Sequence, residues 1–447
     1  MGGVSLRPMT GGSSSDTGRE RISWALDRAR RRTLGLVDAL SEADQCRQQS
    51  PLMSPLVWDL AHVGNYEEIW LQRALGGPPP IHPEYDDLYD AFRHPRAERP
   101  SLPLLGPTDA REYIAGVRRR ALDVLGSVTF DGGERLLDRG FVYGMVIQHE
   151  QQHAETMLAT RQLMGDRATP PAGTSPAPAG PGAVLPEEVS IEGGRIVIGT
   201  DLDPWAYDNE RPAHAVDVAP FRMDTTPVTN ARYLEFIESG GYDEPHWWSP
   251  EGWAWCREAG LVAPQFWERS VDDTWSVLRF GRRLPVAADE PVQHVCWYEA
   301  DAYARWAGKR LPTEAEWECA AAWDPVEGAG RPYPWGAAEP TAGRANLGQR
   351  HAGPAAVGSY PEGASAAGCH QMIGDVWEWT ASDFRPYPGF EPFPYREYSE
   401  VFWGHDHKVL RGGSWATDGV AARTTFRNWD FPIRRQIFAG FRCATDG

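Results

Sequence analysis

Residues 142–158 read VYGMVIQHEQQHAETML and place His149 and His153 four residues apart, on one face of a helix. Met145 lies one turn before the first imidazole and Met157 one turn after the second, so both histidines sit on an otherwise apolar, inward-facing stripe. Burying an imidazole among apolar neighbours is costly unless the ring finds a partner. A metal ion is the simplest partner, because neutral imidazole is a common ligand and this spacing lets two rings converge on one ion. The same letters match H-E-x-x-H, the zinc-protease signature, in which Glu150 would be the catalytic base. The extended form of that signature fails, since position 156 is Thr and position 159 is Ala where it needs Gly and His. A distant glutamate ligand would have to come from sequence that runs straight into a Pro-rich segment.

Working outward, residues 19–165 have a helical period throughout. A first amphipathic helix spans the apolar positions from Ile22 to Leu40, and Ser41 with Asp44 caps a short turn after it. Pro55 opens a second helix, PLVWDLAHVGNYEEIWLQRAL (55–75), which Gly76-Gly77 and three prolines close. Asp109 starts a third, DAREYIAGVRRRALDVL, and residues 136–164 make the fourth, which carries the two histidines. Four helices in this length predict a four-helix bundle. On the second helix, His62 has Trp58 one turn before it and Tyr66 and Ile69 after it, so it too faces the core. Three inward histidines on neighbouring helices would each need a separate buried partner unless they share one ion. Three neutral imidazoles with open positions suit Fe(II), although ligand type alone also admits zinc or nickel.

The rest of the chain bounds the function. At 447 residues it is too long for one core. A net charge of −18 argues against nucleic acid or an anionic membrane surface as the partner. Six cysteines without a C-x-x-C, no run of about 18 apolar residues and no signal-type amino terminus point to a reduced, cytoplasmic protein. Residues 1–18 read as a disordered tail, and 166–184, DRATPPAGTSPAPAGPGAV, as an inter-domain linker. Residues 185–447 change grammar. Short strand-like runs (189–191, 195–198, 215–218) alternate with short helices (230–238, 298–306, and one opened by the capping box Thr313-x-x-Glu316). Dense tryptophan, including Trp377, Trp379, Trp415 and Trp429, fits an irregular α+β domain of long loops pinned by aromatics. No dinucleotide fingerprint follows a strand.

These residues carry a resemblance to known families. The bundle resembles the DinB-like family, whose three-histidine metal site is matched by His62 in LAHVGNYEE (60–68) and by His149 and His153 in HEQQH (149–153). The second domain resembles the formylglycine-generating, sulfatase-modifying family, a C-type-lectin-like fold. It does so through PVTNARYLEF (227–236), RLPTEAEWE (310–318), GDVWEW (374–379), LRGGSW (410–415) and GFRC (440–443). The copper-holding cysteine pair of formylglycine-generating enzymes is missing, with no Cys between Gly412 and Phe441, so this domain is expected to supply substrate-binding walls instead. Both domains in one chain resemble the iron-dependent sulfoxide synthases of ergothioneine biosynthesis, of the actinobacterial type.

That resemblance implies Fe(II) held by His62, His149 and His153 between the domains, with hercynine, a thiol and O₂ as substrates. It implies Gln152 at hercynine's carboxylate and Asn428 near its trimethylammonium, with Trp429 offering an aromatic face. Arg96 and Arg99, in HPRAER (94–99), resemble the pair that clamps the donor's carboxylates, with Asp430 taking its amino group. Two arginines imply γ-glutamylcysteine, which has two carboxylates to neutralise. Tyr395 and Tyr398, in PYREY, resemble the tyrosines over the iron, Tyr395 being the proton donor and Tyr387 an alternative to it. Cysteine or a selenosugar are the other donors to consider. A zinc-dependent hydrolase or thiol transferase is the reading from a different class.

Overall fold

The computed structural model describes residues 15–130, 133–171, 173–178 and 185–447. The expected tail falls outside the described residues up to position 14, and from Ser15 to position 18 it is helical instead, the start of the first helix; positions 172 and 179–184 of the expected linker also lie outside the described residues. The chain forms two compact units, one holding the helical region up to Met164 with Leu202–Trp205, the other Gly165–Asp201 with Ala206–Gly447.

The helical unit contains α1 (Ser15–Val37), α2 (Glu42–Cys46), α3 (Leu56–Leu71), α4 (Tyr85–Leu88), α5 (Pro107–Ser127) and α6 (Phe141–Gln162). The long helices α1, α3, α5 and α6 make the expected bundle, α3 packing on α5 and α6, and α1 on α6 and α5. Its core is the periodic stripe of each helix: Ile22, Ala25, Leu26 and Ala29 on α1, Ile114, Val117 and Ala121 on α5. Ser41 caps α2 as expected, its Oγ accepting the Asp44 amide at 3.1 Å. Two helix bounds differ from expectation for backbone reasons. Helix α6 begins at Phe141 rather than 136, because Arg139 (φ 46°) and Gly140 (φ 76°) are left-handed and break the run. Helix α3 ends at Leu71, and a 3₁₀ turn over Arg73–Leu75 carries the chain to Gly76 at φ 74°.

The second unit is an irregular α+β domain with mixed sheets. A four-stranded sheet runs in the order Asn428–Asp430, Lys408–Arg411, Trp377–Asp383, Ala439–Gly440, with only the last pair parallel. Glu188–Ile191, Phe221–Asp224 and Ala444–Asp446 form an antiparallel sheet that ties the domain's two ends together. Helix α7 (Asn230–Glu238) has the expected bounds, followed by α8 (Pro250–Glu258) and α9 (Trp297–Trp306). The capping box opens α10 (Glu314–Ala322): Thr313 Oγ1 accepts the Glu316 amide at 3.2 Å and Glu316 Oε2 the Thr313 amide at 2.7 Å. Trp317, Trp379 and Trp415 are fully buried, but so are Arg411, Arg423, Arg427 and Arg442, which sequence reading did not anticipate. Arg411 pairs with Glu314 (2.6 Å) and Glu318 (2.5 Å), and Arg442 with Glu378 (2.7 Å), so buried ion pairs share the work of fixing the loops. All six cysteines are free thiols. Among the described residues, no helix is long and apolar enough to cross a membrane.

Candidate metal centre

Helix α3 brings His62, and α6 brings His149 and His153, to one point: a ligand nitrogen from each lies within 4.8 Å of the other two. Ring-to-ring distances are 5.1 Å for His62–His149, 4.6 Å for His62–His153 and 4.5 Å for His149–His153. What stands behind each ring differs. His62 Nδ1–H donates to the Tyr89 carbonyl at 2.8 Å. His153 Nδ1–H donates to Asp59 Oδ1 at 3.0 Å. Those bonds leave Nε2 of both rings with its lone pair turned to the cluster. His149 Nδ1 is buried without a hydrogen-bond partner among the described residues. Stacking holds that ring instead, Tyr66 lying on it at 3.7 Å and 14°, while Trp58 lies on His62 at 4.5 Å and 14°.

Electrostatics suits ligation. Burial first, then repulsion from His153, holds His62 and His149 well below the ordinary imidazole range; for His62 the Tyr89 carbonyl opposes this and Arg99 adds to it. Both rings are therefore neutral at ordinary pH, the state a metal requires. His62 Nε2 and His149 Nε2 lie 3.3 Å apart. Two lone pairs at that distance repel unless a proton or a cation lies between them, and burial disfavours the proton. The donor set fits a divalent transition ion of borderline softness, with coordination positions left open.

Glu150 is not available to this centre. It lies in a buried quartet with Arg30 (2.8 Å), Arg118 (3.2 Å) and, through the same arginines, Glu67. Both its oxygens accept from guanidinium, which removes the base that the protease signature requires.

The other expected residues fall into two groups. In the helical unit, Gln152 lies on α6 between the two ligands, part-buried, its carbonyl accepting Thr156 Oγ1 at 3.2 Å. Arg96 opens the 3₁₀ turn Arg96–Ser101 and is half-buried. Arg99 is buried, its guanidinium 3.5 Å from the Trp58 ring and bonded to Ser54 Oγ (2.5 Å) and the His94 carbonyl (3.0 Å). In the second unit, Trp429 stacks on Phe384 (4.1 Å, 8°), Tyr398 meets Trp429 edge-on at 6.0 Å, and Tyr395 meets Tyr398 at 6.1 Å. Strand alternation turns Asn428 and Asp430 to the face opposite Trp429. Asp430 pairs with Arg434 at 3.2 Å. Tyr387 stands apart in the core, its hydroxyl 3.4 Å from Glu314 and its ring 4.1 Å from the Arg427 guanidinium.

Several supporting residues escaped sequence reading. Asp59, an acid in the apolar run LVWDLAH, was a visible signal; the Tyr89 carbonyl carried none. Gly144, one turn before Gln148 on α6, admits Trp205: a Cβ there would lie 2.3 Å from the indole. Gln148 Nε2 then donates to the Trp205 carbonyl at 2.9 Å. In the second unit, Asp208 clips the tyrosine segment at both ends, accepting the Phe393 amide (3.2 Å) and Ser399 Oγ (2.5 Å). Tyr207 stacks under Tyr398 at 4.2 Å.

Comparison with known proteins agrees with this two-part construction. The DinB superfamily matches residues 25–157 and the sulfatase-modifying factor enzyme 1-like domain residues 175–447. A formylglycine-generating enzyme of Streptomyces coelicolor is 33% identical and spans 62% of this chain and 95% of its own. The hercynine oxygenase of Mycolicibacterium smegmatis is 53% identical over 96% of this chain and 99% of its own. That of Mycobacterium tuberculosis is 53% identical over 96% of this chain and 100% of its own. Identity at this level over nearly the whole of both chains makes this protein a member of the hercynine oxygenase family.

Proposed function

We propose that the chain is a cytoplasmic sulfoxide synthase of ergothioneine biosynthesis, joining the thiol of γ-glutamylcysteine to an imidazole carbon of hercynine with oxidation of the sulfur. The observation that carries the reading is the convergent cluster of His62, His149 and His153, two of its rings stacked on aromatics, in a chain so similar to relatives named for hercynine. The reaction balances as R–H + R′–SH + O₂ → R–S(O)–R′ + H₂O. Forming the C–S bond removes two electrons and oxidising the sulfur removes two more, which together match the four that one O₂ accepts, so no second reductant enters. Iron(II) on the three imidazoles supplies the one-electron chemistry that lets dioxygen react with a closed-shell thiol.

The chain's own groups position and protonate. Trp58 and Tyr66 hold two ligand rings by stacking, and the Tyr89 carbonyl and Asp59 hold the tautomers. Arg96 and Arg99 take the donor's two carboxylates. Arg99 uses three of its five N–H groups on Ser54, His94 and Ala91, which leaves two for an anion. Asp430 takes the donor's amino group, Gln152 the hercynine carboxylate and Asn428 the neighbourhood of its trimethylammonium. Tyr395 donates the proton, with Tyr398 packed beside it and Trp429 beside Tyr398.

The test is oxygen uptake and product mass with anaerobically iron-loaded protein. The expected product gains one oxygen and loses two hydrogens relative to the summed substrates, with one O₂ consumed per product. Equal thiol-dependent uptake without hercynine would overturn the reaction, and faster turnover with cysteine than with γ-glutamylcysteine would overturn the donor. Tight zinc with no iron-dependent uptake would favour the hydrolase or transferase instead.

A further inference from the structure

The three imidazoles of the centre are not equivalent. His62 rests on a neutral carbonyl and His149 Nδ1 on no hydrogen-bond partner among the described residues, whereas His153 rests on a carboxylate, Asp59, at 3.0 Å. Asp59 is only 1% exposed, and its Oδ2 has no hydrogen-bond partner among the described residues. A buried carboxylate with one oxygen unmet is a liability in the metal-free fold. Arg99 does not relieve it by contact, since its bonds go to Ser54, His94 and Ala91. Arg99 feels this carboxylate through space, and a cation at the other end of the His153 ring would answer it through the shared imidazole.

We propose that Asp59 is a positioning residue that makes His153 the strongest donor of the three and thereby sets the affinity and the potential of the bound cation. An anion on Nδ1–H pulls the proton and pushes electron density toward Nε2, while fixing the ring's tautomer and tilt. With a dication bound, its negative charge would halve the centre's net charge and favour the higher oxidation state. The inference rests on the metal-centre reading above, but not on the identity of the thiol or of hercynine.

The experiment uses the full chain and Co(II) alone as probe, read by its visible absorption, with thermal melts of the metal-free protein alongside. Asp59→Asn keeps the side chain's size and removes its charge. It is expected to bind Co(II) about 10- to 100-fold more weakly, the usual cost of losing such a partner. The metal-free melt should be unchanged or higher, because the variant removes an unmet buried charge; a residue serving only the fold would lower it. With iron, the ferric/ferrous potential should rise, each tenfold shift in relative affinity being about 59 mV. In a His153→Ala background, Asp59→Asn should cost no further Co(II) affinity, because its route is gone. A parent that binds Co(II) while D59N binds it within about twofold, the additivity error of such comparisons, overturns the assignment alone. So does a loss of affinity that persists without His153. A parent that binds no Co(II) overturns the assignment and the metal-centre reading together.

Discussion

Replacing Glu150 by Gln separates two accounts of the H-E-x-x-H stretch. Glu150 belongs to a closed quartet that takes one residue from each long helix: Arg30 from α1, Glu67 from α3, Arg118 from α5 and Glu150 from α6. Arg30 meets Glu67 at 2.6 Å and Glu150 at 2.8 Å; Arg118 meets Glu67 at 2.6 Å and Glu150 at 3.2 Å. Side-chain exposure is 12% at most, and the four charges cancel. Glu150→Gln leaves two guanidiniums on one carboxylate, a net buried positive charge. Breaking such a pair costs about 3–5 kcal/mol. For a unit of this size that lowers the melting temperature of its transition by roughly 6–20 °C. The assay is far-UV circular dichroism of the metal-free chain on heating, followed by turnover per folded molecule at low temperature, which should stay within a few-fold of the parent. A variant of unchanged stability that binds iron but has lost turnover would refute the structural account and restore Glu150 as a base. The quartet also predicts an acid limit. Burial alone would raise Glu67, but Arg118 and Arg30 outweigh it and hold it below its ordinary 4.5. Its stabilisation is therefore full above about pH 4.5 and lost as pH falls through the folded value.

The arginines of the donor clamp should separate by burial. Arg96→Ala is expected to raise the KM for γ-glutamylcysteine about tenfold, as losing one charge-assisted bond would. It should leave the melt and the KM for hercynine alone; a larger effect on hercynine overturns the donor assignment. Arg99→Ala should raise the same KM and also lower the melt, because the guanidinium covers Trp58 at 3.5 Å and bonds Ser54, contacts together worth about 1–3 kcal/mol. Asp208→Ala releases both ends of the Tyr395–Tyr398 segment, which should speed proteolysis between 393 and 399 and lower kcat while Co(II) affinity stays constant; an unchanged kcat would remove these tyrosines from the chemistry.

Where the sequence could be read, the information was local. The period of α6, the inward side of His62, the bounds of α7 and the capping box of α10 all depend on neighbours within a turn or two. Local patterns also misled. Trp24 counts toward the apolar pattern of α1, yet it is 40% exposed, because it lies off the Ile22–Ala25–Leu26–Ala29 stripe. The start of α6 was invisible because nothing in its type marks Arg139 as left-handed. What could not be read was partnership at long range. The Tyr89 carbonyl meets His62 across 27 residues, and Asp208 meets Ser399 across 191. No residue type announces a backbone acceptor, and a buried arginine looks in sequence like a surface one.

Asp59 and Glu150 show how far partnership decides role. Each lies next to a ligand in sequence, Asp59 three residues before His62 and Glu150 directly after His149. Each is 1% exposed. Both are buried acids within a turn of a ligand, and the better-known motif favours Glu150. Their partners divide them. Glu150 faces two permanent cations, so its charge is cancelled whether or not a metal is present, and its removal is felt by the fold. Asp59 bonds the back of a ligand ring and meets no guanidinium directly, so its removal is felt by a cation beyond that ring. The two substitutions to amide should therefore act with opposite emphasis: Glu150→Gln on the melt of the metal-free chain, Asp59→Asn on metal affinity.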